Sequence, residues 1–143
     1  MAPNNCLQLV PSTVTSLTAN MAQNFSLDGL SRLGNLEWLS LSSCHGVPQI
    51  IYYSFLKFLK KLTRLEVSNE VPLSDSFRAA LRLTKLQVLN LGHLSLEKFN
   101  MSKLPNLESL CMGAIPNKDF SILAGLTKLT QLELSDKVDM SHL

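Results

Sequence analysis

A chain of 143 residues is the length of one compact domain, and 45 % hydrophobic residues with a mean hydropathy of +0.14 exclude a disordered polar tail. Charges break every long apolar run, so no window reaches the roughly 18 residues that a membrane span needs. A net charge of +2 is too small to imply nucleic acid by itself, and three cysteines at Cys6, Cys44 and Cys111 fit neither a disulfide framework nor a zinc site.

The first acidic residue is Asp28 and the first basic one Arg32, so the N-terminus has neither the positive start of a secretory signal nor the arginines of a transit peptide. Together with the odd cysteine count this predicts a soluble, intracellular and cytoplasmic chain. The two N-x-S sequons, at Asn24 and Asn100, read as accidental in that setting.

Along the chain, residues 1–11 offer only Cys6 to Val10 as a partial strand. From there one pattern recurs six times: Val14-x-x-Leu17-x-Ala19, Leu36-x-x-Leu39-x-Leu41, Leu62-x-x-Leu65-x-Val67, Leu86-x-x-Leu89-x-Leu91, Leu107-x-x-Leu110-x-Met112 and Leu129-x-x-Leu132-x-Leu134. Five of the six carry an apolar residue or alanine at the two preceding three-residue steps, as Leu30 and Leu33 do before Leu36. The middle leucines are 22, 26, 24, 21 and 22 residues apart, the period of a solenoid.

Steps of three suit a turn of helix or 3₁₀, whereas the closing L-x-L alternation suits a short strand. Each unit therefore predicts strand, turn, short helix and return. One unit cannot cover its own apolar edge, so units must stack. Between Leu41 and Leu56, Gly46 and Pro48 predict a turn, and the apolar run to Leu59 predicts a longer convex helix on which Tyr52 and Tyr53 pack. Phe25, Phe55, Phe77, Phe99 and Phe120 each precede a middle leucine by 10 to 14 residues, which predicts a stacked aromatic spine. Val138 to Leu143 begins a further turn, and neither end supplies an obvious polar cap, so the expectation is either a piece of a longer solenoid or ends covered by self-association or neighbouring subunits.

Over roughly residues 12 to 136 the pattern resembles the leucine-rich repeat family, and phrases such as Leu33-Gly34-Asn35-Leu36-Glu37-Trp38-Leu39 and Leu104-Pro105-Asn106-Leu107-Glu108-Ser109-Leu110 look like ordinary members. The resemblance implies a right-handed, curved α/β solenoid, a single domain over 1–143. Its parallel sheet would line the concave face, with short helices or 3₁₀ turns on the convex one. One departure stands out. The family usually has Asn or Cys three residues after the last strand leucine, where this chain has Ala22, Cys44, Glu70, Leu94, Ile115 and Lys137. Only Cys44 conforms, which predicts irregular turns after the strands.

Alternation along each strand aims the residues between the buried leucines at the concave face. The column inside L-x-L reads Thr18, Ser40, Glu66, Asn90, Cys111, Glu133, and the one before it Ser16, Trp38, Arg64, Val88, Ser109, Gln131. Trp38 and Arg64 fall on adjacent strands about 4.8 Å apart, within reach of a cation–π stack, and both residue types are enriched at binding hot spots. With Ser40, Glu66, Asn90, His93, Glu133 and Asp136 they form the candidate partner surface. Two further columns, three residues apart, place Lys61, Lys85 and Lys128 and then Arg32, Arg82 and Lys103 along one flank, an alternative surface for RNA phosphates or acidic partners in a larger assembly.

Catalysis finds no support. Cys111 and His93 lie on neighbouring strands, but about three residues, roughly 10 Å, apart along the strand direction. No metal-ligand spacing, phosphate loop or carboxylate pair occurs, and no cofactor is expected. The sequence thus predicts a non-catalytic module binding a protein on its concave face, with a structural role in a ribonucleoprotein or other assembly as the alternative.

Overall fold

The structure is a computed structural model that describes residues 6–21, 27–43, 53–68, 75–95, 100–115 and 120–135. Six strands run through it: β1 (Ser16–Met21), β2 (Trp38–Ser43), β3 (Arg64–Ser68), β4 (Val88–Asn90), β5 (Ser109–Gly113) and β6 (Gln131–Ser135). They form one sheet in chain order, every pair parallel. The middle leucines lie side by side across it, Leu17 beside Leu39, then Leu65, Leu89, Leu110 and Leu132, as the repeat register requires.

The three-residue steps have a direct backbone cause. In the second coil the amide of Leu33 donates to the carbonyl of Leu30 and that of Leu36 to Leu33. The same pair of i→i+3 bonds recurs at Leu56, Leu59 and Leu62, at Ala80, Leu83 and Leu86, at Met101, Leu104 and Leu107, and at Leu123, Leu126 and Leu129. Each ladder residue thus turns the chain by one 3₁₀ step and buries its side chain on the same side. The connecting elements are accordingly short 3₁₀ helices, at Asp28–Arg32, Ser54–Phe58, Asp75–Arg82, Met101–Lys103 and Phe120–Leu123.

Coils are joined where the strands begin. The Thr15 carbonyl accepts from the amides of Glu37 and Trp38, the Glu37 carbonyl from Thr63 and Arg64, and the series continues through Thr63, Gln87 and Glu108 to Thr130 and Gln131. One carbonyl holding two successive amides of the next coil repeats five times and fixes the stacking register. Between sheet and 3₁₀ wall lies the core, where Leu30, Leu33, Leu36, Leu39, Leu56, Leu59, Leu62, Leu65, Leu86, Leu104 and Leu107 are fully inaccessible.

Three sequence expectations are corrected. Cys6 to Val10 is not a partial strand: Cys6–Leu9 is a 3₁₀ helix in which Val10 donates to the Leu7 carbonyl. Val14 donates to the carbonyl of Pro11, and the step from Val10 to Val14 is four residues rather than three. The run to Leu59 ends in a five-residue 3₁₀ segment rather than a longer helix, as far as the described residues extend. The aromatic spine is partial. Tyr53 meets Phe77 edge-on at 5.1 Å and Phe55 at 6.3 Å, all three buried, but Phe120 is 55 % exposed. Phe25, Cys44, the Gly46 and Pro48 turn, Tyr52, Phe99 and Asp136 lie outside the described residues.

Candidate functional site

The exposed wall of the sheet is built by the same alternation that fills the core. On β3 the burial order is Arg64 exposed, Leu65 buried, Glu66 half-buried, Val67 buried and Ser68 exposed. Register places Trp38 beside Arg64 and Ser40 beside Glu66. The Arg64 guanidinium carbon sits 5.1 Å from the centre of the Trp38 ring, and Trp38 remains 38 % exposed. A planar cation over an indole face is held flat while its outward N–H groups stay available, which gives a rigid amphipathic anchor with acceptor-binding edges. Toward β1, the Ser42 hydroxyl donates to the Asn20 side chain, tying the two strands' polar faces at that point.

The far side of the wall differs. β4 stops at Asn90, whose Oδ1 accepts from the Gly92 amide at 3.0 Å. Gly92 takes φ +59°, and Leu94 donates back to the Leu91 carbonyl. The Leu91 amide makes the last ladder bond to the next strand, to the Cys111 carbonyl, after which the chain leaves the ladder in a tight turn and Leu94 drops into the core. His93 is carried out of its expected strand column to the exposed turn, and Asn90 is partly occupied in bracing it. The turn also explains a glycine on the next strand: the Gly113 amide donates to the Leu94 carbonyl, and a Cβ at Gly113 would lie 2.9 Å from the His93 carbonyl carbon.

Cys111 is half-buried in the central column beside Glu133. Burial pushes its thiol pKa up, the Glu133 carboxylate raises it further by charge and by accepting a hydrogen bond, and a hydrogen bond from the Gly92 backbone pulls the other way. Its side-chain partner is therefore an acid that keeps the thiol protonated, the opposite of an activated nucleophile. Cys111 is unpaired, and among the described residues no group of three or more His, Cys, Asp or Glu is placed to hold a metal. No helix among them is long and apolar enough to cross a membrane.

The flank cations divide into two kinds. Arg32 donates from Nη2 to the carbonyls of Leu7 at 3.0 Å, Gln8 at 2.5 Å and Val10 at 2.6 Å, closing the end of the first 3₁₀ helix. Lys61 donates to Asn35 Oδ1 at 2.8 Å and Lys128 to Asn106 Oδ1 at 2.7 Å. Each asparagine in turn donates to the preceding coil, Asn35 to the Ser12 carbonyl and Asn106 to that of Thr84. These three cations therefore tie coils together, a role visible only once Asn and Lys are aligned one period apart. Arg82, Lys85 and Lys103 are exposed. Asn100 likewise has a structural task, since its Oδ1 caps the Met101–Lys103 segment by accepting from Ser102 at 3.1 Å.

No protein-family profile and no curated protein sequence matches this chain. Solved structures do. The chain is similar to an internalin (InlF) of Listeria monocytogenes at 25 % identity and a TM-score of 0.57, over 91 % of this chain and 44 % of that one. It is similar to internalin C2 of the same organism at 22 % identity and a TM-score of 0.68, over 87 % and 53 % of the two chains. A leucine-rich repeat protein of Leptospira interrogans matches at 21 % identity and a TM-score of 0.64, over 98 % of this chain and 34 % of that one. The chain thus spans between a third and about half of the length of these structures.

Proposed function

We propose, for a chain that is a leucine-rich repeat solenoid in sequence pattern and in fold, that it is a non-catalytic protein-interaction module whose partner lies on the concave sheet, anchored by Trp38 and Arg64. The observation that carries the reading is the exposed Trp38–Arg64 stack, set among small polar residues that let a partner approach the backbone. Glu66, Asn90 and Glu133 extend this surface toward β6 and give it acidic character that suits a hydrogen-bonding or basic segment. His93 joins it from the turn, and Asp136, outside the described residues, is included from its place in the repeat pattern alone. The module acts inside the cell, in keeping with an unpaired Cys111. Self-association or neighbour contacts at the outer strands β1 and β6 are secondary to the concave face.

The alternative, an assembly subunit that meets RNA through its flank, is weakened because Arg32, Lys61 and Lys128 already bond to neighbouring coils. A photo-crosslinking residue at Ser40 is expected to capture the partner, whereas one at Lys103 is not. In a binding titration with the captured partner, Trp38→Ala should weaken affinity at least tenfold, about 1.4 kcal/mol or more. Capture from position 103 with unchanged affinity for Trp38→Ala would sink the concave reading.

A further inference from the structure

We infer that the 3₁₀ side of the third and fourth coils is a second docking surface, which binds an acidic protein segment through one apolar or aromatic side chain seated on Phe58. The first observation is the placement of charge. Stretches 53–63 and 75–87 hold six of the chain's 13 Lys and Arg (Lys57, Lys60, Lys61, Arg78, Arg82 and Lys85) and one of its 11 Asp and Glu, Asp75. That is a local net charge of +5, against −3 for the remainder. A chain close to neutral overall thus concentrates its positive field on one two-coil patch.

Phe58 supplies the second observation. Phe55 and Phe77, on the same two segments, are buried, yet Phe58 is 52 % exposed. The pairing of Leu65 with Leu89 makes positions 24 residues apart equivalent here, so Phe58 sits beside Arg82, and Lys61 beside Lys85. Both coils make the same 3₁₀ bonds on either side of these positions, from Leu59 to Leu56 and from Leu83 to Ala80, so the equivalence holds along the descending segments. The Lys57 ammonium already lies 5.1 Å from the centre of the Phe58 ring. Lys60, Arg82 and Lys85 are exposed and make no ion pair among the described residues, while Lys61 is pinned by Asn35 with its charge intact.

An apolar centre with Lys60, Arg82 and Lys85 exposed near it is complementary to a segment with one apolar side chain between carboxylates: the ring gives the anchor, and these cations give steering and register. Nucleic acid fits less well. Single strands stack on successive rings, and the other exposed phenylalanine among the described residues, Phe120, belongs to the sixth coil. Trp38 faces the concave side, so this surface is separate from the one proposed above.

The test is a fluorescence-anisotropy titration of the full chain with three labelled probes. These are a glutamate-rich peptide with one central phenylalanine, the same peptide with alanine in its place, and a single-stranded RNA of equal charge. The phenylalanine peptide should bind tightest, at least fivefold better than its alanine counterpart. Phe58→Ser should erase that difference, Lys60→Glu with Arg82→Glu should reduce binding tenfold or more, and Trp38→Ala should leave it unchanged. All these positions are exposed, and unchanged thermal melts will show that the variants fold. RNA binding as tightly as the phenylalanine peptide, equal affinity for both peptides, or undiminished binding by the charge-reversed variant would each overturn the proposal.

Discussion

The third and sixth coils carry almost the same words, Leu62-Thr63-Arg64-Leu65-Glu66-Val67-Ser68 and Leu129-Thr130-Gln131-Leu132-Glu133-Leu134-Ser135, and meet opposite fates. Leu65 and Val67 are 0 % and 1 % exposed, whereas Leu132 and Leu134 are 44 % and 37 % exposed. Both strands have the same backbone conformation and the same carbonyl clasp from the coil before. What differs, among the described residues, is that β3 has a strand on each side and β6 has one. In a stacked repeat, burial belongs to the pair of neighbours and not to the motif.

The sharpest way to break that statement is to truncate equivalent leucines in the two copies. Leu65→Ala should cost about 2–5 kcal/mol, because it empties a site closed from both sides. Leu132→Ala should cost about 1 kcal/mol or less, since much of its side chain already meets water. Urea denaturation of both variants measures the gap. Equal losses would mean that β6 is covered after all, and a small loss at Leu65 would remove the register itself.

A smaller effect is expected where an interior coil departs from its neighbours. The Gly92–His93 turn projects from the fourth coil, and Gly113 in the fifth makes room for it. Gly113→Ala would press a methyl group against the His93 backbone and the Ser95 hydroxyl, and should destabilise by about 1–3 kcal/mol by overpacking. Deleting Gly92 and His93 together should relieve much of that penalty. If the double change is no better than Gly113→Ala alone, the glycine is not there for the turn.

This turn also marks where the sequence ceases to be legible. The spacing of leucines was enough to align all six strands in the observed register, because burying a continuous ladder admits few alternatives. The same spacing carried Trp38 beside Arg64. It put His93 in a strand column, however, because column counting assumes that every strand continues, and the Asn90 side chain bonding the Gly92 amide ends this one. In sequence Arg32 is indistinguishable from flank charge, because its three carbonyl acceptors are on the preceding coil, about two dozen residues away, and offer no side-chain signal. Exposure of Phe58 was equally hidden: aromatic residues in a helical run are usually core, and only its alignment with Arg82 distinguishes it from Phe55.

The third and sixth coils should behave alike at the threonine, whose hydroxyl bond needs only one neighbouring coil. The Thr63 hydroxyl donates to the Glu37 carbonyl at 3.1 Å, and the Thr130 hydroxyl donates to the Glu108 carbonyl at 3.2 Å. Each reaches back to the coil before it, which both copies possess. Each carbonyl also keeps its two amide donors when the hydroxyl is lost, so no acceptor is stranded. Thr63→Val and Thr130→Val should therefore cost the same small amount, about 0.5 kcal/mol each, although the leucines two positions away differ several-fold. Matched urea midpoints for the threonine pair alongside divergent ones for the leucine pair would separate what a coil takes from its predecessor from what it takes from its successor. A threonine pair that diverges as the leucines do would instead mean that the whole sixth coil is loosened, clasp included.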